Sequence, residues 1–112
     1  MFGTPSIPEV AAADVSEEAF LLDVRNPDEW AAGHAPAAHH VPMNELLARL
    51  DEIPSDRDLV VVCRVGSRSA QVVAYLRAHG YERASNLAGG MWAWQAAGRG
   101  LVGDGGGEAY VL

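Results

Sequence analysis

Four apolar residues with no polar interruption, Leu59-Val60-Val61-Val62, run directly into Cys63, and a polar loop, Arg64-Val65-Gly66-Ser67-Arg68-Ser69, follows at once. A strand without in–out alternation must be covered on both faces, as in a parallel sheet flanked by helices. A long helical stretch then runs from Ser67 or Ser69 to His79, and Gly80 stops it. The only cysteine of the chain therefore stands at the carboxyl end of a strand and the amino end of a helix, the edge where open α/β sheets bind ligands.

The chemistry of that position follows from its neighbours. Gly66 reaches backbone angles closed to other residues, so the loop N–H groups can turn inward toward one point. The helix adds roughly half a positive charge at its start, and Arg64 and Arg68 add two full ones. Such surroundings favour thiolate over thiol at Cys63 and hold an anion against the sulfur. A lone cysteine elsewhere is commonly a small buried hydrophobe. The glycine, two arginines and two serines directly after this one point instead to a nucleophile at the floor of an anion pocket.

Composition removes other classes. The chain has 112 residues, enough for one domain with one core. No apolar run approaches the ~20 residues of a membrane span, and the start, Met1-Phe2-Gly3-Thr4-Pro5, has neither the basic residues nor the apolar core of a signal peptide. A cytoplasmic, monomeric protein is the expectation. One cysteine forms no internal disulfide and supplies too little sulfur for a structural zinc site. The net charge is −7, which argues against nucleic acid and anionic membrane as partners. All eight basic residues are arginine, so Schiff-base chemistry and a phosphate-loop lysine are excluded.

Along the chain, residues 1–7 read as an arm, 8–98 as the domain and 99–112, rich in glycine, as a flexible tail, with docking of Tyr110-Val111-Leu112 on the domain left open. Pro8-Glu9-Val10, Phe20 to Val24, Ala38 to Val41, Leu59 to Val62 and Arg83 to Leu87 read as strands. Asp14-Val15-Ser16-Glu17 has capping-box spacing and predicts a short helix. Asn26-Pro27-Asp28-Glu29 is a strong helix start. Asn44 to Leu50 reads as a helix, with Leu46, Leu47, Leu50 and Ile53 at helical spacing on one face, and Met91 to Ala97 is a last helix. Strands alternating with helices imply an α/β fold with a mainly parallel sheet of about five strands.

Four segments together resemble the rhodanese family of sulfurtransferases in its small single-domain form. Asp23-Val24-Arg25, continuing through Glu29-Trp30 to Gly33-His34 and Pro36, is similar to D-x-R … E-[FYW]-x-x-G-H-x-P, although Ala37 stands where the family often has glycine. His40-Val41-Pro42 is similar to the strand end at I-P. Cys63 to Ser69 is similar to the active-site loop C-R-x-G-x-R-S, and Asn86 to Trp94 to N-L-x-G-G-[MI]-x-x-W.

The resemblance implies a three-layer fold and a persulfide mechanism without a cofactor. Cys63 would take sulfur from a small anionic donor such as thiosulfate and pass it to cyanide, a thiol or a carrier protein. Arg64, Val65, Gly66, Ser67, Arg68 and Ser69 would form the anion cradle. Cys63 and Arg68 have four residues between them, one fewer than in the C-x5-R loop of cysteine phosphatases, a tighter cradle suited to one sulfur atom. A phosphatase or arsenate reductase fits less well, the latter also for want of a second cysteine. A binding module that keeps the fold without turnover is the other alternative, and the intact cysteine loop argues against it.

Other residues have structural readings. Arg25 is expected to pair with Glu29 and fix the loop after its strand. Asp23 stands near the pocket, where its charge would oppose thiolate formation. His34 is expected to make a structural hydrogen bond. His39 and His40 are adjacent and would point to opposite faces of a strand, so the histidines offer no metal-site spacing. Of Trp92 and Trp94, one is expected in the core and the other near the surface.

Overall fold

The short apolar runs pair into a single sheet in the computed structural model, which describes residues 7–112. The strands are β1 (Glu9–Val10), β2 (Phe20–Asp23), β3 (His39–His40), β4 (Leu59–Val62) and β5 (Ala84–Leu87). The α-helices are α1 (Pro27–Ala32), α2 (Ser67–Ala78) and α3 (Gly90–Ala96). The strand order is β1-β5-β4-β2-β3, and every strand pairing is parallel.

The run at 59–62 occupies the centre of this sheet, and all four of its residues are buried. Its side chains alternate between two cores. Leu59, Val61 and Cys63 pack with Leu22, Val24, Val72, Val73 and Leu76 on the α2 side. Val60 and Val62 pack with Leu21, Leu87, Met91 and Trp94 on the α3 side. A doubly covered strand needs no polar face, which is why its sequence has none. Cys63 continues the alternation and so points under α2. All strands run the same way, so the segments after β2, β4 and β5 converge on one edge.

Three local expectations are corrected. The capping-box spacing at Asp14–Glu17 opens no helix. A 3₁₀ turn covers Ala12–Asp14 instead, and the Ser16 hydroxyl accepts the Glu18 N–H. The stretch expected as helix from Asn44 to Leu50 forms 3₁₀ segments at Met43–Glu45 and Leu47–Glu52, with non-helical angles at Arg49. Leu46 and Ile53 are buried as expected, whereas Leu47 is exposed. Over so few residues the 3₁₀ and α patterns place apolar side chains almost alike.

The third correction concerns the flexible reading of the glycine-rich end, where the structure takes the docked alternative left open for Tyr110–Leu112. His34 and Val102 exchange two backbone hydrogen bonds at 2.9 Å, and the Tyr110 N–H donates to the Ala32 carbonyl at 3.0 Å. The Trp94 indole N–H donates to the Gly100 carbonyl, the Arg99 guanidinium bonds the Ala12 carbonyl, and Val111 is buried. The expected arm lies outside the described residues except for Ile7, which packs against the α2-side core. Gly33 makes room for the returning chain, since a Cβ there would collide with the Tyr110 backbone carbonyl. Gly33→Ala is therefore expected to expel residues 99–112 at a cost of about 1–3 kcal/mol. Limited proteolysis would then clip the C-terminal segment faster than in the wild type; equal clipping rates would contradict the docking.

Candidate active site

The loop after β4 folds around one atom. The Cys63 side chain is fully buried, and the Gly66 N–H donates to its Sγ at 3.0 Å. Gly66 takes φ +108°, the left-handed region, and this turn aims the N–H back at the sulfur. Ser69, in the first turn of α2, places its Oγ 3.1 Å from the same sulfur. Burial is the largest influence on the thiol and pushes it up. The Ser69 hydroxyl and the N–H groups of Ser69, Gly66 and Val65 pull it down, and together they leave Cys63 below an ordinary cysteine.

The loop is braced from both sides. The first N–H groups of α3 donate to it, Met91 to the Cys63 carbonyl at 2.8 Å and Trp92 to the Arg64 carbonyl at 3.2 Å. Gly90 permits this approach, because a Cβ there would lie 2.5 Å from the Cys63 carbonyl oxygen. On the sheet side, Asn86 of β5 is buried and bonds the loop in two places. Its Nδ2 donates to the Gly66 carbonyl at 3.1 Å, and its Oδ1 accepts the Ser69 hydroxyl at 2.5 Å. Sequence reasoning gave Asn86 no role. The available signal was an asparagine, a residue type depleted in strands, within the short run Ala84–Leu87.

The two loop arginines part company. Arg68 grips Glu29 of α1 with two hydrogen bonds, at 2.8 and 3.0 Å. Arg64 is exposed, lies over the Trp92 ring with its guanidinium carbon 5.8 Å from the centroid, and has no carboxylate partner among the described residues. Val65 and Ser67 are exposed at the rim of the loop. Arg68 also forms one wall of a groove of about 440 Å³ beside the loop, with Val24, Pro27, Pro42, Met43 and Glu45. The tryptophans divide as expected, Trp94 in the core and Trp92 about half exposed.

Arg25 does not pair with Glu29. Its guanidinium makes hydrogen bonds of 2.8–3.1 Å to both oxygens of Asp23, and both residues are fully buried. It also donates to the Gly33 carbonyl at 2.8 Å, tying the end of β2 to the end of α1. Asp23 thus has its charge matched within its own loop. His34 makes the structural bond expected of it, between Nδ1 and the Trp30 carbonyl at 2.7 Å. The Trp30 ring stacks with the His34 and His40 rings, parallel to each within 5°.

Glu29 joins these pieces. It accepts the Asn26 N–H at 3.1 Å, closing a capping box at the start of α1, while holding Arg68. The Arg68 hydrogen bonds draw its carboxyl below the ordinary range, burial opposes them, and the Asn26 N–H adds to the first effect. A carboxyl lowered in the folded state contributes stability that is fully present above its unfolded value of about 4.3 and lost as pH falls through the folded one. The wild type should therefore lose stability as it is acidified below about pH 5. Glu29→Gln should start less stable and show a flatter urea-midpoint profile over that window. Superimposable profiles would remove Glu29 from the acid response.

Against known proteins, residues 7–97 match the rhodanese-like domain. The chain belongs to the rhodanese-like domain family. Among relatives of this rhodanese-like domain is a protein of Allochromatium vinosum named sulfurtransferase, 46% identical over 87 residues, covering 78% of this chain and 81% of that one. The crystal structure of a rhodanese-related protein from Thermoplasma volcanium superposes with a TM-score of 0.78 at 30% identity, covering 85% of this chain and 97% of the other. That of a rhodanese-like domain protein from Staphylococcus aureus does so with a TM-score of 0.72 at 32% identity, covering 93% and 99%. The α/β rhodanese fold expected from the four motifs is thus the fold observed.

Proposed function

We propose that this rhodanese-like domain is a sulfurtransferase that carries sulfane sulfur on Cys63. The observation that carries the proposal is the convergence of the Gly66 N–H and the Ser69 hydroxyl on one buried sulfur at the end of β4. In the first step the Cys63 thiolate attacks the outer sulfur of thiosulfate. The sulfur–sulfur bond of the donor breaks, and its electron pair leaves with sulfite. Cys63–S–S⁻ remains. In the second step an acceptor nucleophile attacks the terminal sulfur. The persulfide bond breaks, and its electron pair returns to Cys63 as thiolate. Cyanide as acceptor leaves as thiocyanate, and a thiolate leaves as a persulfide. The two displacements balance without an electron carrier.

The chain's own groups suit each step. Inward N–H groups stabilise the negative terminal sulfur, as donors preset for developing charge do elsewhere. Arg64, the loop arginine without a carboxylate, attracts the donor anion, while Arg68 shapes the cradle through its bond to Glu29. Four residues lie between Cys63 and Arg68 in the cradle, which favours a single sulfur over a phosphate ester. The acceptor in the cell is a small thiol or a sulfur-carrying protein, in a reducing compartment such as the cytoplasm, where one unpaired thiol stays available.

Steady-state kinetics with thiosulfate and cyanide test the reading. A covalent carrier gives parallel double-reciprocal lines as the fixed substrate is varied. Intersecting lines, or no thiocyanate from folded and reduced protein, would overturn it.

A further inference from the structure

Ser69 has one hydroxyl proton and two acceptors. Its Oγ lies 3.1 Å from Cys63 Sγ and 2.5 Å from Asn86 Oδ1. The orientation of the Asn86 amide is set by its other contacts. Nδ2 faces the Gly66 carbonyl at 3.1 Å and the Glu9 carboxylate at 3.2 Å, both acceptors. Reversing the amide would set an oxygen against two oxygens. Oδ1 therefore faces Ser69, and at 2.5 Å only the hydroxyl hydrogen can lie between the two oxygens.

With that proton given to Asn86, Ser69 turns a lone pair toward the sulfur. A protonated thiol completes the chain, its S–H donating to Ser69 Oγ and the hydroxyl donating to Asn86 Oδ1. A thiolate does not, because it needs the hydroxyl proton for itself. The hydroxyl must then rotate to the sulfur and leave a buried amide oxygen without a donor, which is costly.

From this we infer that Asn86 is a positioning residue that competes with Cys63 for the Ser69 proton and so sets the fraction of the cysteine present as thiolate. The inference rests on Cys63 being the reactive sulfur. Asn86 thereby offsets part of the pull that the Ser69 hydroxyl exerts on the sulfur, and the thiol still stays below an ordinary cysteine. Arrival of negative charge at the sulfur, first as thiolate and then as persulfide, pulls the hydroxyl across. The Gly66 carbonyl keeps a second partner, the Ala70 N–H at 3.2 Å, so the loop is not anchored by Asn86 alone. The charged groups around the cysteine are Arg64 and Arg68 from its loop and α2, Glu29 from α1 on Arg68, the Asp23–Arg25 pair after β2, and Glu9 from β1 on Asn86. None of these charges is removed in the variants below.

The test is a pH titration of thiolate absorbance at the single cysteine, which needs neither donor nor acceptor and so reads the same whether or not sulfur transfer is the function. Asn86→Ala should lower the midpoint by about half a pH unit or more, giving about threefold more thiolate below it. In a Ser69→Ala background the same substitution should move nothing. An unchanged midpoint in the first comparison, or an equal shift in both, would overturn the inference. The S–H stretch of Cys63 at acid pH provides a reading independent of whether the Asn86 variant folds. It should show a hydrogen-bonded thiol in the wild type and a freer one in Ser69→Ala; identical bands would also overturn it.

Discussion

Cys63→Ser is expected to abolish sulfur transfer, by roughly a thousandfold or more, while the fold survives. A hydroxyl at that place is too weak a nucleophile to take sulfur from thiosulfate and cannot hold a persulfide. The fold survives because serine is smaller than cysteine and inherits the Gly66 N–H that now meets the sulfur. The change in unfolding free energy should stay within about 1–2 kcal/mol. Thiocyanate formation and urea unfolding measured on one preparation separate the two effects. Activity within tenfold of the wild type would remove Cys63 from the reaction.

Arg25→Met is expected to be the most destabilising single change, at roughly 3–5 kcal/mol. It leaves the Asp23 carboxylate fully buried with the backbone N–H of residue 25 as its remaining donor in this group. It also removes the bond to the Gly33 carbonyl that ties β2 to the end of α1. A domain of this size has about 5–15 kcal/mol in total, so the variant would stand close to unfolding. Removing both charges, as Asp23→Leu with Arg25→Met, should recover much of the loss, because the penalty is the unpaired charge more than the missing pair. Urea midpoints of the two singles and the double measure this. A single variant costing under about 1 kcal/mol would show that water reaches the pair.

What the sequence made legible was local. The uninterrupted run at Leu59–Val62 required cover on both faces, and β4 has it. Gly66 required a left-handed turn, and it makes one. Asn26-Pro27-Asp28-Glu29 required a helix start, and α1 begins at Pro27. What stayed hidden depended on elements far apart in the chain. Arg68 and Glu29 are 39 positions apart, and the sequence alone offers 15 acidic residues as candidate partners. The partner of Arg25 proved to be Asp23, two residues away, because the turn after β2 folds the guanidinium back along its own strand end. The glycine-rich end read as mobile, since composition reports backbone freedom and says nothing of the acceptors at Ala32 and His34 that catch it. Asn86 was visible only as part of a motif; its work depends on a carbonyl and a hydroxyl from the segment after Cys63 and a carboxylate from β1.

The persulfide on Cys63 is the central claim, and the intact mass of the protein reads it most directly. Reduced protein incubated with thiosulfate and freed of small molecules should gain the mass of one sulfur atom. The gain should disappear after cyanide and never form in Cys63→Ser. A gain that persists through cyanide, or that forms equally in the serine variant, would place the sulfur elsewhere and contradict the mechanism. No gain at all in folded, reduced protein would contradict thiosulfate as the donor.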